Sequence, residues 1–562
     1  MLPKRRGRPR NLADVAERLC GGLAAIMGSR AVVHDERQSR SYTTGYRYGL
    51  GKAVAVVFPE TLVALWRAAQ LCARENAIII LQAANTGLTG GSTPNGDYDR
   101  PVIVISTERL GGVYPILGGT EAICLAGSTL TQLETAIAPM GRAPHSVIGS
   151  SCIGASVIGG ICNNSGGALV ERGPAFTEHA VYARIREDGE LELINRLGVD
   201  LGDEPEMMLR KLERGAFLAT NRKCPGMYDY ARHVRRIDDP TPARYNADPR
   251  GLFEASGSAG KVIVFAVRVP TFPQPKHEQT FIIATNSAET LSALRRALLA
   301  PEVPLPKLCE YLHRDATMLA LSHGNDLCLL LRLLGPGAMP QILKFQKRLA
   351  ATIGPTTTDR LAHLLGRAAP HPLPRRIRPH FANHEHVLVL TAAEAAIAPI
   401  EALLLGAAGA ETVVHRATPA EAEAALRLRF AVAGAGVRYR NLAPGGGELA
   451  TLDIALPRNA RDFRLDLPEQ LATKVQLRID YGHFLCHVFH HDFVLEPEVC
   501  RETFEGAVKT LVEARGGQMP AEHNFGHLYE APAHVTAFYR QLDPTNSLNP
   551  GIGKTSRCRN WN

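Results

Sequence analysis

The chain has 562 residues, 45% hydrophobic and 21% charged, a balance that excludes a disordered, collagen-like or low-complexity protein and allows three or four domains. Its formal charge of +8 is uneven: Lys4, Arg5, Arg6, Arg8 and Arg10 put +5 in the first eleven residues, and Pro306 to His384 carry eleven Lys or Arg against four acids, leaving −4 elsewhere. Eleven cysteines with no C-x-x-C pair exclude a zinc ribbon, and with no signal peptide they predict reduced thiols in a cytoplasmic compartment.

In chain order, Ala53 to Val57 reads as a buried strand. Phe58-Pro59 then opens a helix on which Leu62, Leu65, Trp66, Ala69 and Cys72 recur at helical spacing. Ala77 to Gln82 is a second strand that ends directly on a loop, Gln82 to Gly96. Val102 to Thr107 and Ala122 to Gly127 continue the strands, and Thr129 to Met140 gives a short helix before a second loop, Ile148 to Gly167. Val262 to Val269 is a later strand. The most apolar window, Val387 to Ala410, is interrupted by Glu394, Pro399 and Glu401, so it reads as a strand and a buried helix rather than a membrane span.

Both loops are rich in Gly, Ser, Thr and Asn, and no Asp, Glu, Lys or Arg lies between Ala143 and Val170. A phosphate there would be met by backbone N–H groups and hydroxyls. No G-x-G-x-x-G follows a strand and no G-x-x-x-x-G runs into Lys-Ser/Thr, which argues against an NAD Rossmann site and a P-loop. Loops beyond strand ends are where α/β folds place ligands.

The run Gln82 to Gly91 followed by Ile158 to Gly167 resembles the FAD-binding domain of the vanillyl-alcohol oxidase and p-cresol methylhydroxylase flavoproteins. Longer strings, Pro144 to Gly167, Thr241 to Pro249, Leu452 to Phe463 and Asp543 to Ser556, resemble the family of bacterial respiratory, quinone-dependent D-lactate dehydrogenases. That resemblance implies an α+β architecture in three parts. A two-subdomain FAD domain would span 1–270 and 519–562, with a basic tail at 1–11. An antiparallel-sheet cap with helices would span 271–305 and 385–518, interrupted at 306–384 by a small basic membrane-binding segment. It implies non-covalent FAD met by Ala83, Ala84, Asn85, Thr86, Gly87, Gly91, Ser92, Gly149, Ser156, Gly166 and Val264.

A basic block with no transmembrane helix suits anionic lipid heads, each nearby cation contributing about 1 kcal/mol. The resemblance agrees, implying a peripheral enzyme on the cytoplasmic face of the inner membrane that oxidises D-lactate to pyruvate and reduces membrane quinone. The tail has a rival reading, since Arg6-Gly-Arg-Pro9 resembles the core of an AT-hook; a lipid-attracted tail is preferred and no nucleic-acid partner is expected.

Oxidising a 2-hydroxy acid needs a cation for the carboxylate and a base for the hydroxyl proton. His483 to His490 and Ala521 to Gly526 resemble the two histidine motifs of flavin-dependent D-2-hydroxy-acid dehydrogenases. Carried over, His523 is the base, Arg429 holds the carboxylate and His483 belongs to the catalytic set. In those relatives the two histidines and the glutamate also hold a divalent metal. On a single strand, residues seven apart point to opposite faces unless a bend or bulge intervenes, so no metal ligand is assigned and His490 is read as a packed histidine. Alternatives are a dehydrogenase of another D-2-hydroxy acid with a soluble acceptor, and a basic membrane or DNA-associated protein on a cofactor-free flavin fold.

Overall fold

The computed structural model describes residues 12–145, 153–218, 230–407, 409, 411–443, 445 and 447–562. The basic tail and Gly149 lie outside the described residues.

The first subdomain is built on a four-stranded sheet ordered Val32–Val33, Ala55–Val57, Val102–Ser106, Ile78–Gln82. The last three strands run parallel, and every residue of Val102–Ser106 is buried, the continuous apolar pattern of a sheet covered on both faces. Helix Leu62–Arg74 starts where Thr61 accepts a hydrogen bond from the Ala64 N–H. It buries Leu62, Leu65, Trp66, Ala69 and Cys72, the stripe expected from the spacing. The second subdomain is an antiparallel sheet of five strands, Val113–Ile116, Glu121–Leu125, Ile263–Pro270, Ala180–Ile185 and Leu191–Asn195. The C-terminal strip returns to the first sheet: Leu548 bridges Ile79, and the Ile79 N–H donates to the Ser547 carbonyl.

The cap is one antiparallel sheet of seven strands, ordered Val413–Arg416, Glu278–Thr285, His386–Ala393, Leu308–His313, Val475–His483, Val488–Leu495, Leu449–Ala455. Strand Leu308–His313 lies in its centre, so the sheet takes in the start of the stretch assigned to the basic segment. The helices that follow are Arg314–His323, Asn325–Leu334, Met339–Ile353, Pro355–Ala368 and Arg378–Asn383. Ala316, Leu319, Cys328 and Phe381 share one core with Ala424, Leu428 and Val432 of the long helix Pro419–Leu442. The apolar faces of the stretch singled out by its charge thus belong to the cap.

Val387 to Ala410 divides as expected into strand His386–Ala393 and helix Ile397–Ala407. That helix is not wholly buried: Ile400 and Leu404 face the core while Leu405 is exposed. Among the described residues no helix is long and apolar enough to cross a membrane.

Candidate active site

A cavity of about 920 Å³ lies between the two loops and one face of the cap sheet. Ten of the eleven residues expected to meet the cofactor line it, from Ala83 to Val264, with Gly149 outside the described residues. The first loop is held open by its own polar side chains. The Gln82 amide donates to the Tyr42 and Ser92 carbonyls at 2.9 and 2.6 Å. Asn85, at a positive φ of 50°, donates to the Thr44 carbonyl at 3.0 Å and accepts from Thr93 at 3.1 Å. The Asn85 side chain therefore braces the loop that lines the cavity. Ser156 caps helix Val157–Cys162, accepting from the Gly159 N–H at 2.9 Å.

Two loop glycines have a role that the sequence did not suggest. A Cβ on Gly91 would run into the Asn524 side chain, and one on Gly166 into Glu522. Their small size admits the strap Glu522 to Gly526, which crosses from the cap to the flavin loops. Gly526, at φ 53°, packs as closely on Thr89.

Six of the polar side chains at the site come from four neighbouring strands of the cap. Glu310 pairs directly with His483, Tyr481 with His490, and His490 with Asp453. Directly opposed residues share a face, as do residues two apart on one strand. Glu310, His483, Tyr481, His490, Asp492 and Asp453 therefore all point the same way, and all but Asp453 line the cavity. His483 ends one strand, Phe484 to His487 form a tight turn with His487 at φ 57°, and His490 lies on the returning strand. The seven-residue spacing thus spans a hairpin, which overturns the single-strand reading and its consequence. The His483 and His490 rings are 5.5 Å apart.

His483 Nδ1 meets Glu310 Oε1 at 2.7 Å, and its Nε2 lies 3.3 Å from Glu522 Oε2. Burial opposes its charge, but the two carboxylates outweigh that and push the imidazole up to about 9. Glu522 also pairs with Arg244; burial works against its ionisation, yet Arg244 and His483 hold it well below the usual carboxylate range. Arg429 Nε sits 2.9 Å from Glu310 Oε2, with its guanidinium 4.5 Å over the Tyr481 ring. Asp453 Oδ2 accepts from the Glu522 and His523 N–H groups at 2.6 and 3.0 Å and lies 3.4 Å from His523 Nδ1. His523 remains partly open to the cavity, its side chain 31% exposed.

His483, His490 and Glu522 bring three donor atoms within 4.8 Å of one another. Burial, ahead of the neighbouring His483 charge, pushes His490 well down and keeps it the neutral imidazole that a metal binds, while at His483 a metal would take the place of the proton shared with Glu522. Carboxylates stand behind both rings, Glu310 at His483 and Asp453 at His490 Nδ1, 3.5 Å away. That carboxylate–histidine arrangement orients metal ligands. The donor set fits a divalent cation, against the assignment of no metal ligand.

The structure thus unites His523, Arg429 and His483 with Glu310, Asp453, Asp492, Tyr481, Glu522 and Arg244. Arg47 also lines the cavity, and its charge acts on Asp492. The strings around Arg244 and Asp453 carry the family resemblance, but only the fold reveals the two side chains as partners of Glu522 and His523. Glu310 gives no local signal, since it is one acid in a cationic stretch.

A family model described as an FAD binding domain matches residues 53–192, and one described as D-lactate dehydrogenase, membrane binding, matches 280–561. The quinone-dependent D-lactate dehydrogenase of Escherichia coli (strain K12) is 45% identical over 552 residues, covering 96% of this chain and 97% of its own. That of Haemophilus influenzae is 43% identical over 559 residues, covering 97% and 99%. Among solved structures, p-cresol methylhydroxylase with substrate bound superposes with a TM-score of 0.59 at 12% identity, covering 98% of each chain. A 4-ethylphenol oxidase from Gulosibacter chungangensis gives 0.55 at 13%, covering 97% of this chain and 98% of its own. These last two establish the two-subdomain flavoprotein fold, and the near-complete similarity in sequence establishes that the chain belongs to the quinone-dependent D-lactate dehydrogenase family.

Proposed function

We infer that this protein is an FAD-dependent D-lactate dehydrogenase that associates peripherally with the membrane and passes electrons to quinone. The observation that carries the reading is the single cavity in which an uncharged phosphate cradle meets a cap face bearing base, cation and carboxylate partners. The residues fit the cofactor: Asn549 donates to the Gly91 and Ala259 carbonyls, while its buried Oδ1 has no partner among the described residues and offers an acceptor to a ligand. FAD would be held non-covalently by the two loops and Val264, and it supplies the two-electron redox chemistry.

The rest is done by the protein. The Arg429 guanidinium, held through Nε by Glu310, would bind the D-lactate carboxylate. The His523 imidazole would take the hydroxyl proton, with Asp453 beside Nδ1 steadying the charge that develops. As the C2–H bond breaks and the C2–O bond becomes a carbonyl, pyruvate forms. His483, His490 and Glu522 would hold a divalent cation next to the substrate oxygens, fixing their orientation. Dialysis against a strong chelator is expected to lower D-lactate turnover at least tenfold, with recovery on adding Zn²⁺ or Mn²⁺. Unchanged turnover in protein shown to be metal-free by elemental analysis would remove the cation from the mechanism.

The net +7 of residues 306–384 supports attachment to an anionic surface, and the cytoplasmic leaflet is the anionic side proposed. Anaerobic stopped-flow at the flavin absorbance tests the whole reading. D-lactate should bleach the band rapidly and L-lactate at least a hundredfold more slowly. No bleaching by D-lactate would reject it in favour of another 2-hydroxy acid.

A further inference from the structure

The cavity does not end at the substrate. Beyond the flavin loops it continues between the long helix Pro419–Leu442 and the helices Asn325–Leu334 and Met339–Ile353, where Leu327, Met339, Leu426, Phe430 and Val437 line it. Nothing in lactate chemistry calls for this arm: a three-carbon hydroxy acid is small and polar, and its proposed binding groups are Arg429 on the long helix, His523 on the strap and the polar face of the cap sheet. Ile153, within the second flavin loop, packs with Leu327 and Phe430 against buried Leu331, Met339 and Ile342. Apolar side chains thus run continuously from the cofactor loop to these helices. The arm is polar where His323, Gln346, Asp359 and Arg438 line it, and Arg438 is paired with Asp326. Burial holds His323 down at about 4, so it is uncharged at neutral pH.

The same helices carry an exposed apolar face. Leu333 and Leu334 end the first, and Phe345, 66% exposed, stands beside cavity-lining Gln346 on the second. Leu361, Leu364 and Leu365 are exposed on Pro355–Ala368. Large apolar side chains exposed together, among the cations of this segment, suit contact with lipid. The apolar lining of the arm and the exposed apolar side chains are therefore carried by the same helices.

Resting on the function proposed above, we propose that this arm is the binding channel of the electron acceptor. It seats the apolar tail of a membrane quinone between Leu327, Met339, Leu426, Phe430 and Val437, bringing the headgroup to the cofactor site. Lactate occupies the polar cap face, so donor and acceptor use separate arms of one cavity. In the acceptor half-reaction the quinone gains two electrons and two protons, both carbonyl oxygens becoming hydroxyls, and the reduced cofactor returns to its oxidised form.

Two measurements test the channel. A photoreactive azido-quinone with a prenyl tail, irradiated with the FAD-loaded protein in detergent, should label peptides within 325–346 and 426–437. Labelling should be displaced by unlabelled quinone and not by D-lactate. Label elsewhere, or displacement by D-lactate, would overturn the proposal. In Leu327→Trp, whose added ring fills the arm, the KM for detergent-dispersed quinone should rise at least tenfold, while the rate of flavin bleaching by D-lactate falls far less. A parallel fall in both, or an unchanged quinone KM, argues against the channel. Val437→Phe narrows the same arm from the opposite helix and replaces Leu327→Trp should that variant lose its flavin. Leu361→Asp/Leu364→Asp, on the outer face, should lose vesicle-linked turnover and regain it in detergent, which separates docking from the channel. Failure of wild-type protein to bleach with D-lactate would reject the underlying activity, whereas the labelling pattern reads the channel by itself.

Discussion

His523→Ala should abolish D-lactate-dependent bleaching of the flavin, slowing it by about 10²–10⁴-fold, the span that a positioned general base contributes. The geometry supports this size of effect. His523 is held at its backbone N–H by Asp453 at 3.0 Å, and the same carboxylate lies 3.4 Å from Nδ1. One buried acid therefore fixes both where the imidazole stands and which nitrogen faces the cavity. Flavin content should stay near one per chain, because the cradle is built from Gln82 to Ser92 and from the second loop. Stopped-flow traces of the loaded variant check it, and bleaching at the wild-type rate would reassign the base. Asp453→Asn should fall between the two, since it keeps the backbone contacts and loses the charge.

Glu522→Gln has the largest expected effect on stability. Glu522 pairs with Arg244, a guanidinium only 1% exposed, and lies 3.3 Å from His483 Nε2. Removing one partner of a buried pair leaves the other charge uncompensated, typically about 3–5 kcal/mol. Denaturant unfolding of chelator-treated protein, followed by loss of flavin, should show a deficit of that order, and a change under about 1 kcal/mol would mean that Arg244 finds another partner. The pH dependence has a definite sign. In its folded place His483 titrates at about 9, above the roughly 6.5 of an unperturbed imidazole. The stability that its charge contributes is full below about 6.5 and is lost as pH rises through about 9. The variant takes away one of the two carboxylates that raise it, so the His483 share of the deficit should shrink between those limits. The Arg244 share should persist throughout.

Periodicity and composition made the outer frame legible. Strands such as Ile78–Gln82 and helix Leu62–Arg74 were readable because their apolar spacing is set by a local fold with a buried sheet. The cofactor loops were readable because a stretch of this length without charge, dense in Gly, Ser and Asn, has few other uses. What pairing decides was not legible. Whether His483 and His490 diverge or converge depends on a short turn, and Phe484-Leu-Cys-His487 carries none of the Gly or Asn that advertises one. Strand Leu308–His313 was hidden for a related reason: its charge was counted with the helices that follow, while its neighbours in the sheet, His386–Ala393 and Val475–His483, come far later in the chain. The strap shows the limit from the other side. The resemblance singled out Glu522 and His523, but the glycines opposite them looked like ligand contacts until their neighbours were known.

The closing of the cavity by the last part of the chain has a consequence for biosynthesis. Glu522, His523, Asn524 and Asn549 all line it, and they leave the ribosome after both flavin loops and every strand of the cap sheet, the last of which is Val488–Leu495. Domains generally fold as units as they emerge, so a nascent chain presents a shaped cradle that lacks the proposed base, one of the proposed metal donors and the last asparagine of the cavity wall. Redox competence therefore arrives in one late step, when the strap docks on Gly91 and Gly166 and Leu548 pairs with Ile79. An unfinished chain holds no assembled site through which electrons could stray.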